Sequence, residues 1–451
     1  MGEINLTEGS IFTKLVQFSL PMIAGNLLQQ VYNLVDTLIV GKCIGSDALA
    51  AVGSAYTLMT FLTSILIGLC MGSGAFFSAD YGAGEEAQLG EDIRLSFGFI
   101  LAMCALIYAI IYPGMELILS LLQTPTELLE LTRNYVRPVF TGIFFVFLYN
   151  FYAYLLRAMG NSLVPLVFLG ISALLNIVLD LWFVLGFHMG VAGAAIATVI
   201  SQIVSCLFVL GCLFSKRMPV RLGWGDFHLH VMKRIVTFGF SPFLILASDS
   251  ILLIVLNTVL QRYGGPGEGD TLVTCATIVQ SYLLLITMPM GGITLGSQPV
   301  VSFNYGKGDA ERIKKAILYI TGLCVSFCIL MTVVTWTISP VYVRLFTEDP
   351  EILHRSVTYI KRFTFMIIPL AVQYPLVDET TALGKVKLAL FCSAFRKFIF
   401  LAGLIFLPAL FTADAAFFSE PVADVVSATM TSCLFFHFFP KILKEREHVT
   451  M

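Results

Sequence analysis

The chain has 451 residues, of which 57% are hydrophobic and only 12% charged, with a formal net charge of −2 and a mean hydropathy of +0.88. Ordinary soluble domains carry roughly 25% charged residues, so the composition excludes a soluble globular protein and points to a chain that crosses a bilayer many times. The net charge says nothing about partners, and no nucleic-acid partner is expected.

The chain opens with MGEINLTEGS, which lacks a basic n-region and a small-residue cleavage site, so no signal peptide is expected there. The first apolar run, from about Ile11 to Ile44, is long enough to cross a bilayer, which takes roughly 20 residues. Inside it Asn26, Gln29, Gln30, Asn33, Asp36 and Thr37 recur at steps of three and four, which places them on one face of a helix. Tyr32 stands beside that stripe, and Pro21, having no N–H, predicts a kink. A charge held unpaired in lipid costs about 2.5–3.5 kcal/mol. Asp36 is therefore expected to face a cavity or partners, and to do more than line a polar seam between helices.

Apolar runs bounded by polar, Gly or Pro residues predict twelve spans, at about 14–40, 50–79, 94–114, 136–157, 164–186, 190–214, 235–261, 271–302, 314–338, 359–382, 388–411 and 417–440. The alternation expected of barrel strands is missing, so the fold class is an all-α polytopic membrane protein. Lys and Arg fall about twice as often in one set of loops as in the other, which predicts both termini on the cytoplasmic side. The cysteines lie almost entirely in apolar runs (Cys70, Cys104, Cys206, Cys212, Cys324, Cys328, Cys392, Cys433) with no CxxC pair, and read as small buried hydrophobes. His228 and His230, in the central loop, read as solvated residues rather than metal ligands.

That loop, SKRMPVRLGWGDFHLHVMKR at 215–234, falls midway, and the two halves resemble each other. GSGAFFSADYGAGEE at 72–86 aligns with GSQPVVSFNYGKGDA at 296–310, and Ala158-Met-Gly160 matches Ala382-Leu-Gly384 at the same offset of 224. Near the first span the offset becomes 221, where FSLP at 18–21 matches FGFSP at 238–242 and Asp36 falls opposite Asn257. A six-span unit repeated in parallel implies an N-lobe at 1–219 and a C-lobe at 220–451, a transporter architecture.

At these residues the chain resembles the multidrug and toxic compound extrusion (MATE) family, in its prokaryotic branch typified by the DNA-damage-inducible F proteins. The resemblance rests on FSLP, on Gln-Gln-x-Tyr-Asn-x-Val-Asp and Gly-x-x-x-Gly in the first span, and on the two Tyr-Gly-x-Gly turns. It also rests on Arg-Ala-Met-Gly-Asn-Ser at 157–162 and on Asn-x-x-x-Asp at 176–180. It implies two six-helix lobes around a central cavity that opens to alternate sides. It further implies export of bulky, often cationic amphiphiles in exchange for inward Na⁺ or H⁺, with no resident cofactor. The N-lobe cation site of that branch falls on Asp36, Asn176, Asp180 and Thr198. The C-lobe site of the other bacterial branch does not carry over cleanly: Asp249 stands a turn from the expected depth, and Asp378 and Glu379 lie near the end of their span. A monomer in the cell (inner) membrane is expected.

The residues themselves agree. Asn176 and Asp180 stand one turn apart, with Ser172 a turn earlier, and Thr198 begins a polar stripe on the sixth span. Two carboxylates, an amide and a hydroxyl are all-oxygen ligands, suited to a monovalent cation or a shared proton. In the C-lobe, Arg396 and Lys397 lie about two turns into the eleventh span and Asp424 about two turns into the twelfth, so an Arg396–Asp424 pair is expected in preference to snorkelling. Gln280 and Met288, with Asn257, Arg396 and Asp424, are the C-lobe candidates for the cavity wall. The chief alternative is a lipid-linked oligosaccharide or polysaccharide flippase of the same superfamily. An intramembrane aspartyl protease is a distant one, because Gly267-Glu-Gly-Asp270 lies in a polar loop without a Tyr-Asp partner. The chain has no GxxxxGK[ST] stretch for ATP, and no enzymatic activity is expected.

Overall fold

Long apolar stretches with few charges can satisfy their backbone in lipid only as helices, and helices are what these stretches form. A computed structural model describes residues 9–121, 129–213 and 229–447, with no strand among them. In chain order the helices are α1 (Ile11–Ile39), α2 (Ser46–Ala83), α3 (Glu86–Leu121), α4 (Leu129–Ala158), α5 (Leu163–Asp180), α6 (Gly190–Leu213) and α7 (Leu229–Gly264). They continue as α8 (Glu268–Lys307), α9 (Ala310–Val343), α10 (Pro350–Phe363), α11 (Ile367–Ala382), α12 (Val386–Leu410) and α13 (Ser419–Glu447). Eleven of the described helices are long and apolar enough to cross a membrane, and α10 with α11, bent by 51°, makes a twelfth if the pair is one span.

That bend corrects the tenth expected span, an unbroken 359–382. Asp349 caps α10 by accepting from the amides of Glu351 and Ile352 at 2.8 and 3.4 Å, with Pro350 in the first turn. The helix stops where the Thr364 hydroxyl donates to the Ile360 carbonyl at 2.8 Å, and Pro369, lacking an N–H, opposes continuation through the same turn. The paired Tyr-Gly-x-Gly turns end α2 and α8 in matching fashion. Gly84 and Gly308 take φ of 75° and 80°, a left-handed cap that glycine adopts without strain. Helix α1 runs unbroken through Pro21.

The chain divides into two compact units. The first is built on Ala24–Ala247 and the second on Leu6–Ile23 with Ser248–Met451. In the first, α4 packs between α2 and α6 around Phe77, Phe140, Phe147 and Phe151, which are at most 1% exposed. In the second, α11 packs against α8, α9 and α13, and Tyr359 of α10 stacks on Phe417, ring centroids 4.1 Å apart. Seven cysteines, among them Cys70, Cys324 and Cys392, are buried and free as expected, but Cys433 is exposed, because it faces outward from α13. His228 lies outside the described residues, as does the side chain of His230.

Candidate functional site

In the first unit α1 and α5 meet through leucine side chains: a Cβ on Gly25 would meet Leu166 at 3.6 Å and one on Gly170 would meet Leu28 at 3.6 Å, both ordinary van der Waals contacts. This contact brings the polar stripe of α1 to α5. Asp36 and Asp180 stand close enough for their side chains to interact, with no basic side chain acting on either. Asp180 is 0% exposed and Asn176 2%, while Asp36 and Thr198 are half-buried. The Asn176 amide donates to the Thr198 hydroxyl at 3.4 Å, which in turn donates to the Ala194 carbonyl at 3.1 Å. A turn earlier, the Ser172 hydroxyl holds α5 to α6 through the Ser201 carbonyl at 2.8 Å.

Four oxygens in this cluster are buried without a hydrogen-bond partner: Asp36 Oδ1, Asn176 Oδ1 and both Asp180 oxygens. A buried polar atom left unpaired costs roughly 1–3 kcal/mol, and a charged one more. All four are acceptors, so a donor hydrogen, a proton or a hard cation would satisfy them. The backbone around the two acids is also irregular. A π-helical turn, Val40–Ile44, follows α1 one turn beyond Asp36, and another, Leu181–Gly186, begins immediately after Asp180. The i→i+5 bonds are Gly45 N–H to Val40 O at 3.3 Å and Phe187 N–H to Trp182 O at 3.0 Å. These turns pack on one another and on α6, and such widened turns recur at functional sites.

The other stripe residues follow α1 through the same unit: Asn26, Gln30, Tyr32 and Asn33 are half-buried, and Gln29 is exposed. Asn257, Gln280 and Met288 belong to the second unit and are half-buried, with Asn257 Oδ1 unpaired. Arg396 lies in that unit too. It donates to Asp424 Oδ1 from Nε at 3.2 Å and from Nη2 at 3.0 Å. It also pairs with Glu420, a contact that sequence spacing alone had not singled out although Glu420 lies one turn before Asp424. Lys397 pairs with Asp249 of α7 at 2.8 Å. Beside this ionic group, Ser427 donates to Gln373 Oε1 at 3.0 Å. Glu379 of α11 is fully buried beside Asp378, with neither oxygen paired. No group of three or more His, Cys, Asp or Glu side chains gathers as a metal site among the described residues.

The MatE family model matches residues 21–182 and again 245–407, one match in each half of the sequence. The chain belongs to the MatE family. Among curated proteins it is similar to "Probable multidrug resistance protein YpnP" of Bacillus subtilis (strain 168), 27% identical over 392 residues that cover 85% of each chain. It is also similar to "Multidrug export protein MepA" of Staphylococcus haemolyticus (strain JCSC1435), 25% identical over 427 residues, 93% of this chain and 92% of that one. Among solved structures, "MATE in complex with MaL6" superposes with a TM-score of 0.92 at 22% identity, covering 98% of this chain and 100% of that one. "Outward-facing conformation of a multidrug resistance MATE family transporter of the MOP superfamily" does so with the same TM-score and identity, covering 98% and 99%. The likeness extends through both halves, so this MatE chain has the all-helical transporter fold throughout.

Proposed function

We propose that this MatE protein is a secondary active antiporter that exports bulky amphiphilic, often cationic compounds in exchange for inward Na⁺ or H⁺, and that Asp36, Asn176, Asp180 and Thr198 hold the exchanged cation. The observation that carries the reading is the pair of facing acids in a cluster whose four buried acceptor oxygens have no partner. Two carboxylates in contact in a low dielectric repel unless a proton or cation lies between them. Cation arrival relieves that repulsion and draws α1 toward α5 and α6, while departure releases it. Bound cargo and bound cation then oppose each other, and linkage makes the opposition reciprocal in affinity. The names of the relatives, multidrug resistance and multidrug export, support the cargo class.

Equilibrium binding of a cationic dye to the purified protein, titrated with Na⁺ and separately with pH, tests the reading. One of the two cations weakens dye binding in wild type, and the Asp36→Asn, Asp180→Asn double variant binds dye without that response. A dye affinity indifferent to both cations, or a response that survives in the double variant, overturns the mechanism. Flipping of a lipid-linked oligosaccharide without dye export would favour the flippase alternative.

A further inference from the structure

Each half of the sequence carries the same small-residue spacing in its second long helix, Gly68-x-x-x-Gly72 in α2 and Gly292-x-x-x-Gly296 in α8. In both cases a helix backbone lies directly on the glycines. A Cβ on Gly68 would stand 2.6 Å from the Phe243 nitrogen, and one on Gly72 would stand 2.4 Å from the Gly239 nitrogen. From the other side, a Cβ on Gly239 would stand 2.7 Å from the Leu69 Cα. In α8, a Cβ on Gly292 would lie 2.7 Å from the Ile23 nitrogen and one on Gly296 2.8 Å from the Ser19 Cα. There the Ser19 hydroxyl adds a bond to the Ile293 carbonyl at 3.3 Å. Such seats gain their energy from close backbone packing, which no residue larger than glycine permits.

A polar contact fixes each of the seated half-helices a second time. On α7, Arg234 reaches Asp80 of α2 at 2.8 Å and Asp92 of α3 at 2.7 Å, and its guanidinium lies 4.6 Å from the centre of the Phe76 ring. Gln88 donates to the same Asp92 at 3.0 Å. In the other half, Asn304 occupies the repeat position of Asp80. It accepts from Arg312 Nε at 3.1 Å, while Arg312 Nη1 donates to the Gly9 carbonyl just before α1 at 3.1 Å. On α7 the two attachments, at Arg234 and Phe243, are about 14 Å apart along the axis at 1.5 Å per residue. That separation resists both rotation and sliding of the half-helix. Beyond the seats, α7 passes from the first unit to the second at Ala247–Ser248, and α1 passes from the second to the first at Ile23–Ala24.

We propose that the Gly68/Gly72 seat and the Arg234–Asp80–Asp92 triad form a fixed clamp that makes the first half of α7 a working part of the unit built on Ala24–Ala247, so that α7 flexes near Ala247–Ser248 during transport. Gly292, Gly296 and Arg312 do the same for the first half of α1. Arg234, Asp80 and Asp92 are positioning residues that touch neither cargo nor coupling cation. The flexing part of the inference rests on the transport reading, whereas the clamp does not.

Distances between spin labels test both parts in the full chain, with the exposed Cys43 and Cys433 replaced by Ser. One pair, Ala87→Cys with Val236→Cys, lies within the clamp, and the other, Ala87→Cys with Leu253→Cys, spans the changeover in α7. Ala87, Val236 and Leu253 are all exposed. The first pair keeps a single narrow distance with and without Na⁺, at neutral and acid pH, and with dye, and the second pair shifts between those conditions. Arg234→Ala broadens the first distribution; Arg234→Lys, which keeps the charge but not the two-pronged fork, broadens it less. A first-pair distance that shifts between conditions, or stays narrow in Arg234→Ala, overturns the clamp. A second pair that stays fixed while dye export proceeds overturns the flexing of α7. If wild type exports no dye at all, the export reading fails, and the first pair still decides the clamp.

Discussion

Substituting Arg396 is the most quantitative test of the second unit. Its guanidinium makes two bonds to Asp424, whose side chain is 1% exposed, and a further contact to Glu420, whose side chain is 8% exposed. Arg396→Ala removes the guanidinium that pairs with both acids, two carboxyls one turn apart on α13. Breaking a buried pair by removing one partner costs about 3–5 kcal/mol. With two acids stranded, the upper part of that range is expected. Asp424→Ala alone should cost less, because Arg396 keeps Glu420. The double variant should cost less than the sum of the two single ones, since most of the Arg396→Ala penalty is the price of stranding Asp424. Unfolding in detergent micelles titrated with SDS gives the four free energies of the cycle. A cost of Arg396→Ala below about 1 kcal/mol, together with an additive double variant, would mean that the guanidinium is solvated and the pair screened. That outcome refutes the reasoning.

Asp36→Asn and Asp180→Asn, each nearly isosteric, should leave folded yield close to wild type while abolishing dye export driven by a cation gradient, as read by accumulation in whole cells. Gly72→Leu should lower the folded yield far more than Gly98→Leu, because a Cβ at Gly72 meets backbone at 2.4 Å whereas one at Gly98 meets nothing within 4 Å; size-exclusion profiles of the two variants check this. Thr198→Val should weaken the response of dye affinity to cation without abolishing it, because it removes one neutral oxygen from the proposed site and leaves both acids. Cysteines placed at Ser215 and Arg262 should react with an impermeant reagent from opposite sides of the membrane. Reaction of both from one side would refute the expected topology.

The number and kind of spans were legible because lipid imposes a single solution on long apolar runs, and few charges interrupt them. The repeat was legible from the glycine caps at Gly84 and Gly308, where backbone conformation restricts the residue. Asp36, Asn176, Asp180 and Thr198 were legible one by one as polar residues on helix faces, and only the family resemblance implied that they form one cluster. That the two acids stand near each other depends on how α1 packs beside α5, which no periodicity announces. The break at Thr364 was missed because an apolar run reads alike whether or not its helix is continuous. The π-helical turns after Asp36 and Asp180 leave no pattern at all, since their residues are as apolar as those of the neighbouring turns. Glu420 was passed over in favour of Asp424, although residues one turn apart on a helix can share one arginine.

The two halves share one repeat pattern, yet the Arg396 group of the second unit and the acid pair of the first treat buried charge in opposite ways, while Glu379, buried beside Asp378 in the second unit, is also left unpaired. In the second unit Arg396 neutralises Asp424 and Glu420, and Lys397 meets Asp249, so these acids already have permanent counter-ions supplied by the chain. A carboxylate bound by an arginine gains little from a passing Na⁺ or proton, because it must first give up a charge-assisted bond. In the first unit the acid at position 36 faces another acid, and the repeat position opposite it in the second unit is the neutral Asn257. The Asp36–Asp180 pair has no basic partner in its cluster, and three of its four oxygens are buried without a hydrogen-bond partner. An exchangeable counter-ion is therefore worth more at that pair than at Asp424 or Glu420, and substituting Asn257 by Asp should not create a second coupling site unless an acid also faces it. Cation titration of dye binding in Asn257→Asp checks this point: a curve unchanged from wild type is expected, and a second cation-dependent phase would show that facing acids are not what makes the first site work.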